Sequence, residues 1–173
     1  LQPVHSQEMS SRRAEGVPEF YYDLVNVASH EPGKSRLNVY IEFPYDELQF
    51  VKTDSSYRAE YEVTVVIYDD DGDQLDGKIW QESVEVDDYE LTNSRKSYCL
   101  THTHFHLKPD DVQISIGLMD MDTQKTGYRK NELELRNFEK KKVSISDVTF
   151  TDRLEIDSLG IKSIHPLVAN YIR

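Results

Sequence analysis

The chain has 173 residues, a length suited to one domain of ordinary size and a fragment of a second. Its 32 Asp and Glu residues outnumber its 20 Lys and Arg residues, which gives a formal net charge of -12. Nucleic-acid backbones and anionic membrane surfaces attract basic proteins, so this balance argues against both as partners. No run of about 18 apolar residues occurs, and we expect no membrane span.

Apolar and polar residues alternate from residue 20 onward with the period of a half-buried strand. Asp71 and Gly72 form a hairpin signal, because both residue types tolerate the backbone of a tight turn. The strand that follows the hairpin offers Ile79, Trp80 and Val84 as candidate core residues. Predicted strands in this half of the chain cover Phe20–Val27, Leu37–Phe43, Leu48–Val51, Tyr57–Tyr68 and Gln74–Val86.

The second half continues the same pattern, with no segment of useful length that has a helical period. Seven or eight strands joined by turns predict an all-β fold, an antiparallel sandwich of two sheets. A closed barrel is the alternative, because periodicity does not separate the two architectures. The predicted strands of this half are a short edge strand at Tyr89–Leu91, then Ser97–Leu107, Val112–Met121 and Tyr128–Leu135.

Three segments are expected along the chain. Residues 1–19 are predicted to be a flexible N-terminal segment, and residues 20–136 the β-sandwich domain. Residues 137–173 are predicted to be a linker and an extra strand leading towards a second domain outside this chain. Within that last segment, Val143–Val148 alternates again, which indicates either an added strand or a docking segment.

Three histidines alternate along one predicted strand, at His102, His104 and His106. Alternate residues of a strand share a face, so the three imidazoles are expected to line one surface while Phe105 and Leu107 point into the core. Neutral imidazoles bind zinc, and the row is therefore a candidate metal site. Three side chains in line on one strand do not converge on a tetrahedral ion without a further ligand from another part of the chain. The alternative is therefore a row of solvated histidines that bind no metal.

Other chemical signals are weak. The acidic turn at Asp69–Asp76 lacks the Gly and Glu spacing of an EF-hand loop, so a solvated hairpin tip is expected. Cys99, the single cysteine, lies in a strand pattern and is expected to be a small buried apolar residue. The sequence has no phosphate loop, nucleophile elbow or metalloprotease motif. We expect no enzyme activity and no cofactor.

Tyrosines are frequent in the first third of the chain. Exposed Tyr side chains on a sandwich can stack on sugar rings or contact a partner chain. Strand tyrosines are also commonly half-buried structural residues, which is the alternative. The candidate binding residues of this kind are Tyr21, Tyr22, Tyr40 and Tyr45.

Four segments, taken in chain order, form a pattern that can be compared with known families. They are VYIEFPYDELQFV at residues 39–51, a long strand followed by a hairpin and a second strand with Lys-x-Trp at residues 57–80, Asn-Ser-Arg at residues 93–95, and Ser-Asp at residues 146–147. This order resembles the N-terminal Ig-like β-domain of the bacterial GWxTD-domain proteins. The Gly-Trp-x-Thr-Asp signature itself is absent, since the single Trp, Trp80, follows Ile79. The resemblance implies an exported protein in the periplasm or at the cell surface.

Together these observations predict a non-catalytic β-sandwich module of an exported bacterial envelope protein that mediates protein interaction or assembly. The expected partners are other envelope proteins or the rest of its own longer chain. A partner strand could add to an exposed sheet edge, whereas the charged run Glu85–Glu90 could protect such an edge. The alternative functions are a metal-binding module that uses His102, His104 and His106, and a carbohydrate-binding module that uses the tyrosines.

Overall fold

A computed structural model describes residues 17–140, 143–157 and 160–166, with side chains as far as residue 151. The described elements include two short helical turns, a 3-10 turn at Tyr45–Glu47 and α1 at Tyr89–Thr92. Within the described part of the chain, neither helical turn is long enough to cross a membrane. The strands are β1 Tyr21–Ala28, β2 Ser35–Pro44, β3 Val51–Lys52, β4 Tyr57–Tyr68, β5 Gln74–Val86, β6 Tyr98–Leu107, β7 Asp111–Asp120, β8 Thr126–Glu134, β9 Thr151–Asp157 and β10 Gly160–Pro166.

The strands form antiparallel sheets of different size. Sheet A has the order β1-β2-β6, and sheet B has the order β5-β4-β7-β8 with the short β3 beside the start of β4. A third pair, β9 and β10, forms a separate two-stranded hairpin. The all-β antiparallel sandwich predicted from the sequence is confirmed, and the two separate sheets rule out the closed barrel.

The core lies between sheets A and B. Leu37, Val39, Ile41 and Phe43 point from β2 towards β4, and all four side chains are fully buried. Their partners in sheet B alternate with the same period, and the Phe43 and Tyr61 rings meet edge to face at a centroid distance of 4.9 Å. The strict period of two in these strands therefore has a direct cause, because each contributes one face to a single apolar layer.

Two local predictions are wrong in instructive ways. Residues 89–91 form a helical turn rather than a strand, because the Asp88 carboxylate accepts a hydrogen bond from the Glu90 N–H and caps the turn. Ile79 is 65% exposed rather than part of the core, since it lies on the outer face of an edge strand. Trp80 and Val84, which face inward, pack against the core as expected.

The structure also describes segments at the two ends of the sandwich domain. Residues 1–16 lie outside the described residues, but residues 17–19 are ordered against the domain, where the Glu19 N–H donates to the Glu47 carboxylate at 2.9 Å. Residues 143–150 form no strand. They dock on β1 through Asp147, which agrees with the second of the two alternatives, a docking segment, and the strands β9 and β10 follow further along the chain.

Candidate functional site

The three histidines of β6 lie on the outer face of sheet A, as their alternation predicts. His102 and His104 are exposed and His106 is half-buried, whereas Phe105 and Leu107 are buried in the core. The three histidines do not converge on one point, because side chains along a strand stand roughly parallel to one another. His102 stacks on Tyr40 of the neighbouring strand, with ring centroids 5.9 Å apart.

His106 instead meets the turn between β1 and β2. Its ring lies edge to face with the ring of His30, at a centroid distance of 4.7 Å, and Glu31 Oε1 lies 3.8 Å from His106 Nδ1. Each of these three residues offers one ligand atom, and the three atoms lie within 4.8 Å of one another. Among the described residues, this is the one group of His, Cys, Asp and Glu side chains with that degree of convergence.

The local structure of the turn explains why the sequence places His30 and Glu31 there. Gly33 has a φ of 72°, in the left-handed region that glycine tolerates, and it turns the chain back into β2. The Lys34 N–H donates to the Glu31 carbonyl at 3.2 Å, and the Lys34 ammonium pairs with Glu31 Oε2 at 2.6 Å. Glu31 Oε1 is thereby left on the side of His106.

Ser29 completes this corner. Its Oγ accepts the Glu31 N–H at 2.9 Å and bonds His106 Nδ1 at 2.7 Å. The trio of Ser, His and Glu differs from a hydrolase triad, because Ser29 and Glu31 both approach the same imidazole nitrogen. In a triad the carboxylate orients one nitrogen while the other takes the proton of the serine.

Sequence reasoning missed His30 and Glu31. Both stand between two predicted strands, in a turn marked by Pro32 and Gly33, and nothing in the local pattern connects them with residue 106. The connection requires the strand order β1-β2-β6, which places Val27, Arg36 and His106 side by side. His104 lies beside His106 at a centroid distance of 5.5 Å, and burial and the nearby Arg36 charge lower its pKa.

The four candidate tyrosines do not share one surface. Tyr21 and Tyr40 lie on the outer face of sheet A, whereas Tyr22 and Tyr45 pack against the core. Burial raises the pKa of Tyr22, Tyr40 and Tyr45. Carbohydrate binding stays a prediction, and the structure restricts its possible platform to Tyr21 and Tyr40.

The edges of the two sheets form a second candidate site. On one side of the sandwich, β5 and β6 each pair with a single neighbour among the described strands. β6 contains no Lys, Arg, Asp, Glu, Gly or Pro over its ten residues. β5 contains four charged residues, namely Asp76, Lys78, Glu82 and Glu85.

The edges on the other side of the sandwich are protected. Part of the β1 edge is occupied by Asp147, whose carboxylate accepts the Asn26 N–H at 2.6 Å and whose own N–H donates to the Asn26 carbonyl at 3.1 Å. Arg136 pairs with the same carboxylate. β8 carries four charged residues, which are Arg129, Lys130, Glu132 and Glu134. Uncharged β6 is therefore the exception among the four edges.

A polar clamp joins β5 to β6 across the sandwich. Tyr61 OH donates to Glu82 at 2.6 Å, Thr101 Oγ1 donates to the same carboxylate at 3.1 Å, and Trp80 Nε1 donates to Thr101 Oγ1 at 3.0 Å. Burial raises the pKa of Tyr61, and hydrogen bonding to Glu82 raises it further. We use the name polar clamp for Tyr61, Trp80, Glu82 and Thr101.

Cys99 is buried beside the polar clamp, as expected, with 8% of its surface exposed. Burial raises the pKa of its thiol to about 12. The reactive form of cysteine is the thiolate, so Cys99 is held in its unreactive protonated form near neutral pH.

Two open clefts lie away from the histidines. One, of about 620 Å³, lies between the start of β7 and residues 134–140 and 143–145, and the other, of about 430 Å³, lies beside the acidic hairpin tip. Asp69, Asp111 and Glu132 are among the lining residues of the second cleft. In the described parts of the chain, these carboxylates do not converge closely enough to form a cation site.

No protein-family model and no curated protein matches this chain. The chain is similar to the structure of a Bacteroides uniformis β-glucuronidase, with 12% identity, a TM-score of 0.44, and coverage of 68% of this chain and 13% of the glucuronidase. β-glucuronidase 2 of the same organism, bound covalently to cyclophellitol-6-carboxylate aziridine, matches with 13% identity and a TM-score of 0.44 over 70% of this chain and 13% of its own. A structural-genomics target matches with 8% identity and a TM-score of 0.37 over 73% and 92% of the respective chains. No conclusion about function follows from similarity at this level.

Proposed function

We propose that this chain is a non-catalytic β-sandwich module that binds another protein by adding a strand of that protein to β6. The observation behind the proposal is the composition of β6, a ten-residue edge strand without charged residues, Gly or Pro. Exposed edge strands of this kind pair readily with other chains, and proteins usually protect them with charges, prolines or covering segments. Among the residues that the structure describes, the three other edges of sheets A and B have such protection, and β6 does not.

Strand addition suits the geometry of β6. In Leu100–His106, exposed or half-exposed outer side chains alternate with buried inner ones. The buried side chains hold the strand in place, so its main chain is already positioned to pair with a partner strand. Main-chain hydrogen bonds would supply affinity, and contacts with Leu100, His102 and His104 on the outer face would supply specificity. Part of that outer face is the Tyr40 and His102 stack, an aromatic surface of the kind enriched at interfaces.

The proposal that the module is non-catalytic has two supports. The Cys99 thiol is buried and protonated near neutral pH, and Ser29, Glu31 and His106 lack the connectivity of a hydrolase triad. The remaining part of the proposal, an exported protein of the bacterial envelope, is supported by the sequence resemblance to GWxTD-domain proteins. Fractionation of the source cells tests it, and recovery of the protein in the cytosol would contradict this part alone.

Site-specific photocrosslinking tests the interaction. A benzophenone amino acid is placed at position 102 on β6 or at position 83 on β5, since both residues are exposed. Irradiation in the cells that make the protein should give a discrete adduct with a second protein from position 102 and none from position 83. Leu100→Lys should reduce the yield of that adduct, whereas the matched variant Ser83→Lys should leave it unchanged.

Three outcomes would contradict the proposal. One is the lack of any adduct from position 102, and another is equal adducts from the two positions. The third is an adduct with twice the mass of the chain, which would show self-pairing instead of a separate partner. Circular dichroism of each variant excludes unfolding as the cause of a lost adduct.

A further inference from the structure

The corner formed by the β1–β2 turn and the end of β6 brings together three metal-binding side chains. His30 and Glu31 are adjacent in the turn, and His106 stands 75 or more positions later, on a strand that reaches the turn only because β6 pairs with β2. Their ligand atoms lie within 4.8 Å of one another. This convergence does not depend on the row of three histidines along β6, of which only His106 takes part.

The types of donor atom indicate which cation would fit. Two imidazoles and one carboxylate are a common ligand set of zinc, and they leave the fourth tetrahedral position open for water. Ca²⁺ and Mg²⁺ prefer sites made entirely of oxygen ligands, so two imidazoles disfavour them. The corner therefore suits a divalent transition ion, with zinc as its representative.

The geometry is close to that of a bound site. Zinc ligands at about 2.0–2.1 Å stand roughly 3.4 Å apart in a tetrahedron, so ligand atoms within 4.8 Å of one another need to close by at most about 1.4 Å. His30 is exposed, and Glu31 and His106 are half-buried, which leaves their side chains room to make this adjustment.

Neighbouring groups contact two of the three ligands. Lys34 pairs with Glu31 Oε2 at 2.6 Å, while Oε1 faces His106. An outer contact of this type holds a metal-binding side chain in place, and its loss typically changes metal affinity by roughly 10–100-fold. Ser29 Oγ bonds His106 Nδ1 at 2.7 Å, the nitrogen that Glu31 approaches, so a metal bound through Nδ1 would replace this hydrogen bond.

One nearby cation could oppose a metal ion, because Arg36 stands opposite His106 in the strand register. Its guanidinium is directed along β2 and away from the turn, since Arg36 Nε donates to Asn38 Oδ1 at 2.9 Å. The other cation, Lys34, is already neutralised by Glu31. The corner therefore offers a carboxylate and two imidazoles with little uncompensated positive charge directed into it.

We propose that His30, Glu31 and His106 form a zinc-class metal site at the junction of the β1–β2 turn and β6. The site is independent of strand addition to β6. It differs from the histidine row predicted from the sequence in two ligands, because His30 and Glu31 replace His102 and His104.

Calorimetric titration of the folded chain with ZnCl₂ in a non-chelating buffer tests the site. The wild-type chain should bind Zn²⁺, and His30→Ala and Glu31→Gln should each lower its affinity by more than the roughly 10–100-fold that the loss of an outer contact typically causes. His102→Ala is the matched control, because it removes an exposed histidine of the same face but outside the corner. Its affinity should equal that of the wild type.

Thermal unfolding with and without ZnCl₂ gives a second readout, because a ligand that binds only the folded state raises the unfolding temperature. The increase should disappear in His30→Ala and persist in His102→Ala. The proposal is overturned if the wild type does not bind Zn²⁺ or if His30→Ala binds as tightly as the wild type. It is also overturned if His102→Ala loses as much affinity as His30→Ala, which would favour the row along β6.

Discussion

β5 and β6 are neighbours on the same side of the sandwich, yet they end their sheets in opposite ways. β5 directs charged Lys78 and Glu82 along its inner side, and it exposes Ile79 on its outer side. β6 buries its inner residues under β5, with Phe105 only 4% exposed, and it has no charged residue. One edge is loosely packed and charged, and the other is firmly packed and uncharged.

The difference shows that two properties of an edge strand are separate. One is the burial of its inner side chains, and the other is its protection against pairing with a second chain. A charge on the inner side of β5 discourages a second chain from continuing sheet B, because pairing would bury that charge. β6 gains stability from the core, but it carries no charged residue that would discourage pairing. The four predictions below change one property at a time, from the largest expected effect to the smallest.

Truncation of the inner side of β6 should have the largest effect. Phe105→Ala should lower the free energy of unfolding by about 3–5 kcal/mol, because it removes a buried aromatic side chain and leaves a cavity. Ile79→Ala on the exposed side of β5 should change it by about 0.5 kcal/mol or less. Urea denaturation measures both, and similar losses would contradict the contrast between the two edges.

Alkaline pH should weaken the fold where β5 meets β6. Burial raises the pKa of Cys99 from 9.0 to about 12, and the pKa of Tyr61 is also raised. The folded state thus favours the protonated forms, so stability is complete below about pH 9 and falls as pH rises through this range. The Cys99 contribution to this loss should be on the order of 1 kcal/mol at pH 10.

Urea midpoints at pH 7.5 and pH 10 measure the loss, with Cys99→Ala as the control. The variant has no thiol to titrate, so its stability should fall less between the two pH values than that of the wild type. An equal fall in both proteins would show that Cys99 is not the responsible group.

Removal of one hydrogen bond from the polar clamp should have a smaller effect. Tyr61→Phe should lower the free energy of unfolding by about 1 kcal/mol, because Glu82 loses one of its two donors and keeps Thr101. Tyr128→Phe is the control, since Tyr128 is 64% exposed and its hydroxyl is free to contact water. Equal stabilities of the two variants would mean that the Tyr61–Glu82 bond contributes nothing measurable.

Removal of a charge from β5 should change association more than stability. Lys78→Val leaves an apolar Val-Ile-Trp sequence at residues 78–80, and we expect the edge to begin pairing with a second copy. Sedimentation velocity should detect a concentration-dependent dimer that is absent from Lys78→Arg, which keeps the charge. If Lys78→Val stays monomeric to the same concentration as Lys78→Arg, Lys78 does not protect the edge.

Much of the fold follows from the sequence alone. Strands β4 and β7 each bury chiefly one face, and the alternation from Leu37 to Phe43 indicates both strand β2 and its inner residues, although β2 also buries Asn38 and Glu42 on its other face. The same rule correctly places Phe105 and Leu107 inside and the three β6 histidines outside. It fails at Ile79, because alternation identifies the two faces of a strand and not which neighbour covers each face.

The candidate sites also show that alternation does not reveal which distant residues become neighbours. The period of two explains why His102, His104 and His106 share a surface. Side chains that share a surface need not bring their ligand atoms close enough together to bind one ion. His30 and Glu31 join His106 because β6 pairs with β2 and β1 turns back beside it, a contact between residues more than 70 positions apart. The sequence contains the ligands and the turn glycine, Gly33, without indicating that they meet.

The sequence by itself determined the all-β antiparallel character, the inner faces of the central strands, the burial of Cys99 and the exposed Asp-Gly hairpin, because each depends on local alternation or turn chemistry. Only the tertiary structure decided which strands lie at the sheet edges and which of these edge strands carry charged residues. It also decided which side chains meet where the β1–β2 turn contacts the end of β6. Those properties depend on the order of strands across a sheet, and contacts between distant segments leave no periodic signal in the chain.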